Sequence, residues 1–172
     1  MTAIIIRTAA VEDGWALAAA ERKHAETPGK LVSRPNEIDP TMFADRILRL
    51  SAHSRGRYIV AEIGGKIAGH AILEPMGLEA ISHIVRLTMV VHPGFERRGV
   101  GTTLLRDLIQ WATTNPLVHK VELNVRASNK AALELYKLNG FKEEGRLGKR
   151  IRLPDGTFVD DVLMALMVPT QK

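Results

Sequence analysis

Residues 89–105 read Met89-Val90-Val91-His92-Pro93-Gly94-Phe95-Glu96-Arg97-Arg98-Gly99-Val100-Gly101-Thr102-Thr103-Leu104-Leu105, and this stretch decides the architecture. A strand-like apolar run stops at a proline turn and crosses a basic, glycine-containing loop. It then opens into an amphipathic helix over 101–114, with Leu104, Leu105, Leu108, Trp111 and Ala112 on one stripe. Glycine lets the backbone approach closely, so several N–H groups can converge on one anion at a helix N-terminus. A cradle of this kind holds a phosphate or diphosphate. Two common glycine motifs are excluded. The dinucleotide fingerprint needs a third glycine where Leu104 stands, and the P-loop needs a Gly-Lys-Ser/Thr tripeptide that the chain lacks.

Working outward, the 172 residues amount to a single domain, 1–172, able to bury roughly 70% of the unfolded surface. There is no cysteine, which removes disulfides, thiolate metal sites and a cysteine nucleophile. The six histidines are scattered without metal-ligand spacing and read as surface or packing residues, so no metal is expected. No apolar run reaches membrane-spanning length and no signal peptide opens the chain, which points to a cytoplasmic protein off the membrane. The formal charge of +5 suits an acidic partner. Aromatics are few and not interleaved with the basic residues, which argues against nucleic acid and for an anionic small molecule.

The rest of the chain reads as alternating strands and helices. Ile4 to Arg7 is a first strand, and the alanine-rich stretch from Val11 to His24 a first helix. Pro28 to Asn36 is loop, and a second helix follows Asp39 with Pro40 at its first position. Gly64-Gly65 joins strands Tyr58–Ile63 and Lys66–Leu73 in a hairpin, and Ile81–Val91 continues the meander. Lys120–Val125 is a strand, Asn129–Asn139 a helix closed by Gly140, and Phe141–Arg146 and Val159–Met167 are the last strands. The expected class is α/β, a mixed and mostly antiparallel sheet of about seven strands flanked by about four helices.

A second constellation lies on the helix after Asn129. Asn129, Ala132, Leu133 and Tyr136 fall at i, i+3, i+4 and i+7 and share one face. Asn129 is also a natural N-cap. Together the two blocks resemble the GCN5-related N-acetyltransferase superfamily. The resemblance runs from Leu87 to Phe141 and rests on Val90-Val91-His92-Pro93, the loop Glu96 to Gly101, Leu123-Asn124-Val125, Asn129, Ala132, Leu135-Tyr136 and Gly140-Phe141. Glu96 departs from it, standing where the family usually has Gln or Arg, although Arg97 and Arg98 keep the potential positive. The stretch from Gly156 through Val159-Asp160 to Met164 looks like a branch acting on amino acids and other small amines.

The resemblance implies the acyl-CoA N-acyltransferase fold and acetyl-CoA as donor. Its diphosphate would sit on main-chain amides from Arg97, Arg98, Gly99, Val100, Gly101 and Thr102, with Asn129 nearby. Its pantetheine arm would run along a backbone edge at Met89, Val90 and Val91, where an amide near Val90 polarises the thioester. Hydrogen bonds to a charged group contribute ~1.5–3 kcal/mol each, against ~0.3–1 kcal/mol from the helix dipole. The amides therefore dominate. Tyr136 is the implied general acid toward the departing thiolate. The base is open among Glu122, His83, Glu74 or a chain of waters. Asp160, Asp161 and Glu37 are candidates to hold a substrate ammonium in a pocket built from the loop after the first helix, the second helix and the last strands. The expected reaction is acetyl transfer to a primary amine of a small molecule, an amino acid among them. A peptide N-terminus or lysine is the alternative acceptor, and a non-catalytic CoA sensor the alternative of another class. Homodimers are common in the family, so a homodimer is an allowed assembly.

Overall fold

The computed structural model describes residues 3–169. Gly64 and Gly65 both adopt positive φ, +58 and +74, and close the hairpin between β2 (Arg57–Ile63) and β3 (Lys66–Pro75). The remaining strands are β1 (Ile4–Thr8), β4 (Ile84–Val91), β5 (Lys120–Arg126), β6 (Lys142–Arg152) and β7 (Phe158–Met167). They form one seven-stranded sheet in the order β1-β2-β3-β4-β5-β7-β6. Every pairing is antiparallel except β4 with β5.

Four helices cover this sheet: α1 (Gly14–Ala25), α2 (Pro40–Ser51), α3 (Val100–Thr114) and α4 (Lys130–Leu138). On one face α3 buries Val100, Leu104, Leu105, Leu108 and Ala112 against Ile59, Ala71, Leu73, Leu87 and Val121. On the other, Leu17 and Ala18 of α1 and Phe43, Ile47 and Leu50 of α2 pack on Tyr58, Val60 and Ile72. Residue parity assigns the faces, because successive side chains of a strand point oppositely. Gly69 and Ala71 of β3 look toward α3, whereas His70 and Ile72 look toward α1 and α2.

Three boundaries differ from the sequence reading. The first helix begins with a 3-10 turn, Val11–Asp13, because Asp13 accepts from the Ala10 amide at 2.8 Å and from Arg7. Residues 79–81 form a short 3-10 turn, and β4 starts at Ile84. The strand expected to end at Arg146 runs on to Arg152, since β7 supplies pairing partners along that length.

Candidate active site

Parallel pairing of β4 with β5 spans only Ile84–Arg86 against Lys120–Glu122. Beyond that point the two strands part, and a cleft of about 680 Å³ opens between them. Its walls include Leu87 to Val91, Asn124 to Arg126, the α3 N-terminus, the inner face of α4, and His24, Lys30 and Leu31. Hydrogen-bond parity along β4 decides which amides face the gap. His92 donates its N–H to the Ala68 carbonyl at 2.9 Å, and Met76 donates to Ile84, so even-numbered residues bond to β3. The His83 carbonyl accepts from His119, so odd-numbered residues look toward β5. The Val90 amide is thus committed to β3, opposite His70. The N–H groups of Met89 and Val91 are the ones that face the cleft, which shifts the expected amide by one residue to either side.

The loop after β4 has the backbone that a concave anion site needs. Gly94, Arg97 and Gly99 take φ values of +86, +58 and +84. Such left-handed residues among right-handed ones turn neighbouring N–H groups to one side. Val100, Gly101 and Thr102 open α3, where N–H groups have no acceptor within the helix. Arg97 is an L-residue in a left-handed conformation that costs about 1–2 kcal/mol, a strain typical of ligand-gripping loops. Gly101 lies between Met89, Val91 and Leu135, and a methyl added to it would sit 3.4–3.7 Å from their side chains. Glu96 bends back to accept from the Gly94 amide at 2.7 Å. Main-chain N–H groups hold its carboxylate below the usual range, so it braces the turn while also lining the cleft. Arg98 stacks on Phe95 at 5.6 Å, Arg97 lines the cleft, and Lys30 adds a third cation from the segment after α1.

On the opposite wall Asn129 caps α4, its side-chain oxygen accepting from the Ala132 amide at 3.2 Å. Its amide nitrogen is left for the cleft. Tyr136 is 6% exposed, leans on Phe141 at 5.5 Å and lines the cleft. Burial pushes its phenol up to about 12, so it remains protonated at neutral pH and can donate. His24, at the end of α1, is a cleft residue that sequence reasoning missed. Burial, then the nearby Lys30 charge, lowers its pKa below the ordinary histidine value and favours a neutral imidazole able to accept a proton. Nothing in the sequence around His24 marks it, because only the packing of α1 on the sheet brings it there.

Other expected site residues lie elsewhere. Asp161 is 2% exposed and bound to Arg126 at 2.6 Å, so its carboxylate is already neutralised and is not open to an ammonium. Asp160, on β7, accepts from the Lys149 amide at an irregularity of β6, and Glu37 accepts from the Arg34 amide in a 3-10 turn; neither lines the cleft. Among the base candidates, Glu74 pairs with Arg49, Glu122 pairs with Lys120, and His83 packs beside His119. None of the three lines the cleft. The segment after α1 contributes to its wall as expected, but α2 and the last strands do not.

Comparisons with known proteins agree with this geometry. The sequence model of the Acetyltransferase (GNAT) family matches residues 19–141. The L-amino acid N-acetyltransferase AaaT of Escherichia coli is 28% identical over 154 residues, 83% of this chain and 94% of the relative. The N-alpha-acetyltransferase RimI of Mycobacterium tuberculosis is 34% identical over 94 residues, 55% of this chain and 57% of its own. Among solved structures, yncA of Salmonella typhimurium with its cofactor acetyl-CoA superposes with a TM-score of 0.88. It covers 99% of this chain and 97% of its own at 19% identity, a likeness of fold.

Proposed function

The chain belongs to the acetyltransferase (GNAT) family, and from that premise we propose that it moves the acetyl group of acetyl-CoA onto the primary amine of a small molecule, an amino acid foremost. One observation carries the reading: a strand edge with two free amides, Met89 and Val91, leads straight into a left-handed loop at a helix N-terminus. That run matches a diphosphate joined to an amide-bearing arm. The cradle fits such a donor, because Gly99 already has the conformation the loop needs and Arg97 and Lys30 supply charge. The bound donor supplies an activated acyl group.

The chain's own residues would do the rest. Of the Met89 and Val91 amides, about 7 Å apart along the strand edge, one would donate to the carbonyl oxygen as negative charge develops there and the other to the amide-bearing arm. Tyr136 would donate its phenolic proton to the departing sulfur and regain one from the attacking nitrogen as that becomes an amide. The burial that raises the phenol also disfavours a bare thiolate in the same cleft, which keeps the transfer balanced. An α-amine of pKa about 8 is neutral roughly one time in ten at pH 7, and a lysine amine only about once in 2,500. A neutral His24 in the cleft wall would accept the ammonium proton of an α-amine, the less demanding acceptor.

The free amino acid is favoured over a polypeptide because the AaaT match spans nearly the whole of both chains, whereas the RimI match spans little more than half of each. Thiol release from acetyl-CoA across free amino acids, polyamines, aminoglycosides and N-terminal peptides tests this. Turnover with amino acids above all others is expected. Turnover confined to peptides would give the second reading, protein N-terminal or lysine acetylation. Tight donor binding with no turnover on any amine would make the protein a sensor.

A further inference from the structure

His70 and His92 are only 0% and 4% exposed and take no part in the chemistry above. With Glu21 they form a line of hydrogen bonds. Glu21 Oε1 lies 2.9 Å from His70 Nε2, His70 Nδ1 lies 2.9 Å from His92 Nε2, and His92 Nδ1 lies 3.1 Å from the Ile67 carbonyl oxygen. The proton count follows from the groups. A carbonyl only accepts, so His92 carries its proton on Nδ1. Its Nε2 then accepts from His70 Nδ1–H, and the link to Glu21 needs a proton of its own. Ionised glutamate with two neutral imidazoles has one proton too few to make all three bonds. The intact line therefore holds one additional proton and is neutral overall. Removing that proton sets lone pair against lone pair at one link and leaves a net negative charge under α1.

None of the three residues lines the cleft, but the line joins three elements that border it. His70 is the register partner of Val90, whose neighbours carry the free amides. His92 directly follows β4: its N–H bonds to Ala68 and its carbonyl accepts from Phe95, the first bonds of the turn into the loop before α3. Glu21 lies on α1 one turn before His24. We infer that Glu21, His70 and His92 are positioning residues that, through one shared proton, hold the end of β4 and its loop in the arrangement that binds the acetyl donor. This rests on the acetyl-CoA reading above. Burial first, and then His70, pulls the His92 ring down to about 4, which places the shared proton on the link between Glu21 and His70. Other titratable or charged groups turned toward the line are His24 on α1, Tyr58 on β2 and, acting on Tyr58, Arg46 on α2 and Asp13 before α1.

Glu21→Gln separates the proton from the packing. A glutamine amide can donate to His70 Nε2, which satisfies all three bonds with no titrating proton. Calorimetric titration of acetyl-CoA at several pH values is run on wild type and Glu21→Gln, with nitrogen-15 imidazole spectra of both. Expected is a neutral His92 with its proton on Nδ1 in both proteins. Wild-type affinity should fall about fivefold or more as pH rises, while Glu21→Gln loses that component and keeps its affinity. The donor's own phosphates titrate alike in both proteins, and His24, which feels the Glu21 charge, is replaced by glutamine in both backgrounds, so the difference between them isolates the line. Equal pH dependence in the two proteins, or a His92 protonated on Nε2, would overturn the inference. Absence of acetyl-CoA binding by wild type at every pH would instead overturn the donor reading, and the positioning role with it.

Discussion

At Gly99 a side chain would have to be carried at a φ of +84, whereas Arg98 next to it is exposed and stacked on Phe95. The two therefore contribute differently. Gly99→Val adds a β-branched residue to a left-handed position, at about 1–2 kcal/mol or more, and turns the following N–H groups out of convergence. Arg98→Ala removes a screened surface charge, about 1 kcal/mol at most. Titration calorimetry should show acetyl-CoA affinity falling at least about tenfold in Gly99→Val and only a few-fold in Arg98→Ala; the reverse order would mean that charge, not the amide cradle, grips the donor. Tyr136→Phe should lower kcat by about a hundredfold or more with little change in donor affinity. Because the phenol is pushed up to about 12, its loss of a proton should not limit turnover at any ordinary alkaline pH. His24 works in the other direction. Its lowered pKa keeps the imidazole neutral further into acid, so kcat/KM should hold below the usual histidine range and fall only as pH drops through the His24 value. His24→Gln should lower the plateau and flatten that acid limb in a pH–rate profile.

At the scale of elements, β4 serves two neighbours with alternate residues, and proline can tell them apart. Val90→Pro removes an N–H that bonds to β3 in a central strand and should cost about 3 kcal/mol or more in chemical denaturation. Val91→Pro removes an N–H that faces the cleft, beyond the end of β5 pairing. It should leave the fold largely intact while lowering kcat/KM at least about tenfold. Similar loss of stability in both variants would show that the parity assignment is wrong. This division could not be read beforehand. Leu87, Met89 and Val91 pack on the α3 side, whereas Thr88 is exposed and Val90 buried on the other, so alternation assigns side chains to faces but does not say which neighbouring strand takes which amides. The loop and the α4 cap were legible, because Gly99 and Asn129 act on atoms within a few residues of themselves.

Across the whole molecule, Gly69 ties the α3 layer to the strand that frames the cleft. A Cβ there would lie 2.9 Å from both Val100 Cγ1 and the Val90 carbonyl oxygen, and the oxygen belongs to the strand that frames the site. Gly69→Val should push α3 off the sheet and cost about 1–3 kcal/mol, a fall of about 2–10 °C in Tm. Acetyl-CoA affinity should fall in the same variant, since Val100 begins the helix whose N-terminus is the proposed anion site; a stable variant with unchanged affinity would disprove the coupling. The order of strands and helices, the Gly64-Gly65 hairpin, the anion loop and the placing of Tyr136 were determined by the sequence alone. Each depends on local conformational preference or on periodicity within one element. Tertiary structure alone decided that His24 reaches the cleft, that Asp161 is spent on Arg126, and that Glu21, His70 and His92 share a line of hydrogen bonds. Those contacts join residues 35, 49 and 22 positions apart, and no local preference records which distant side chain a fold will bring within 3 Å.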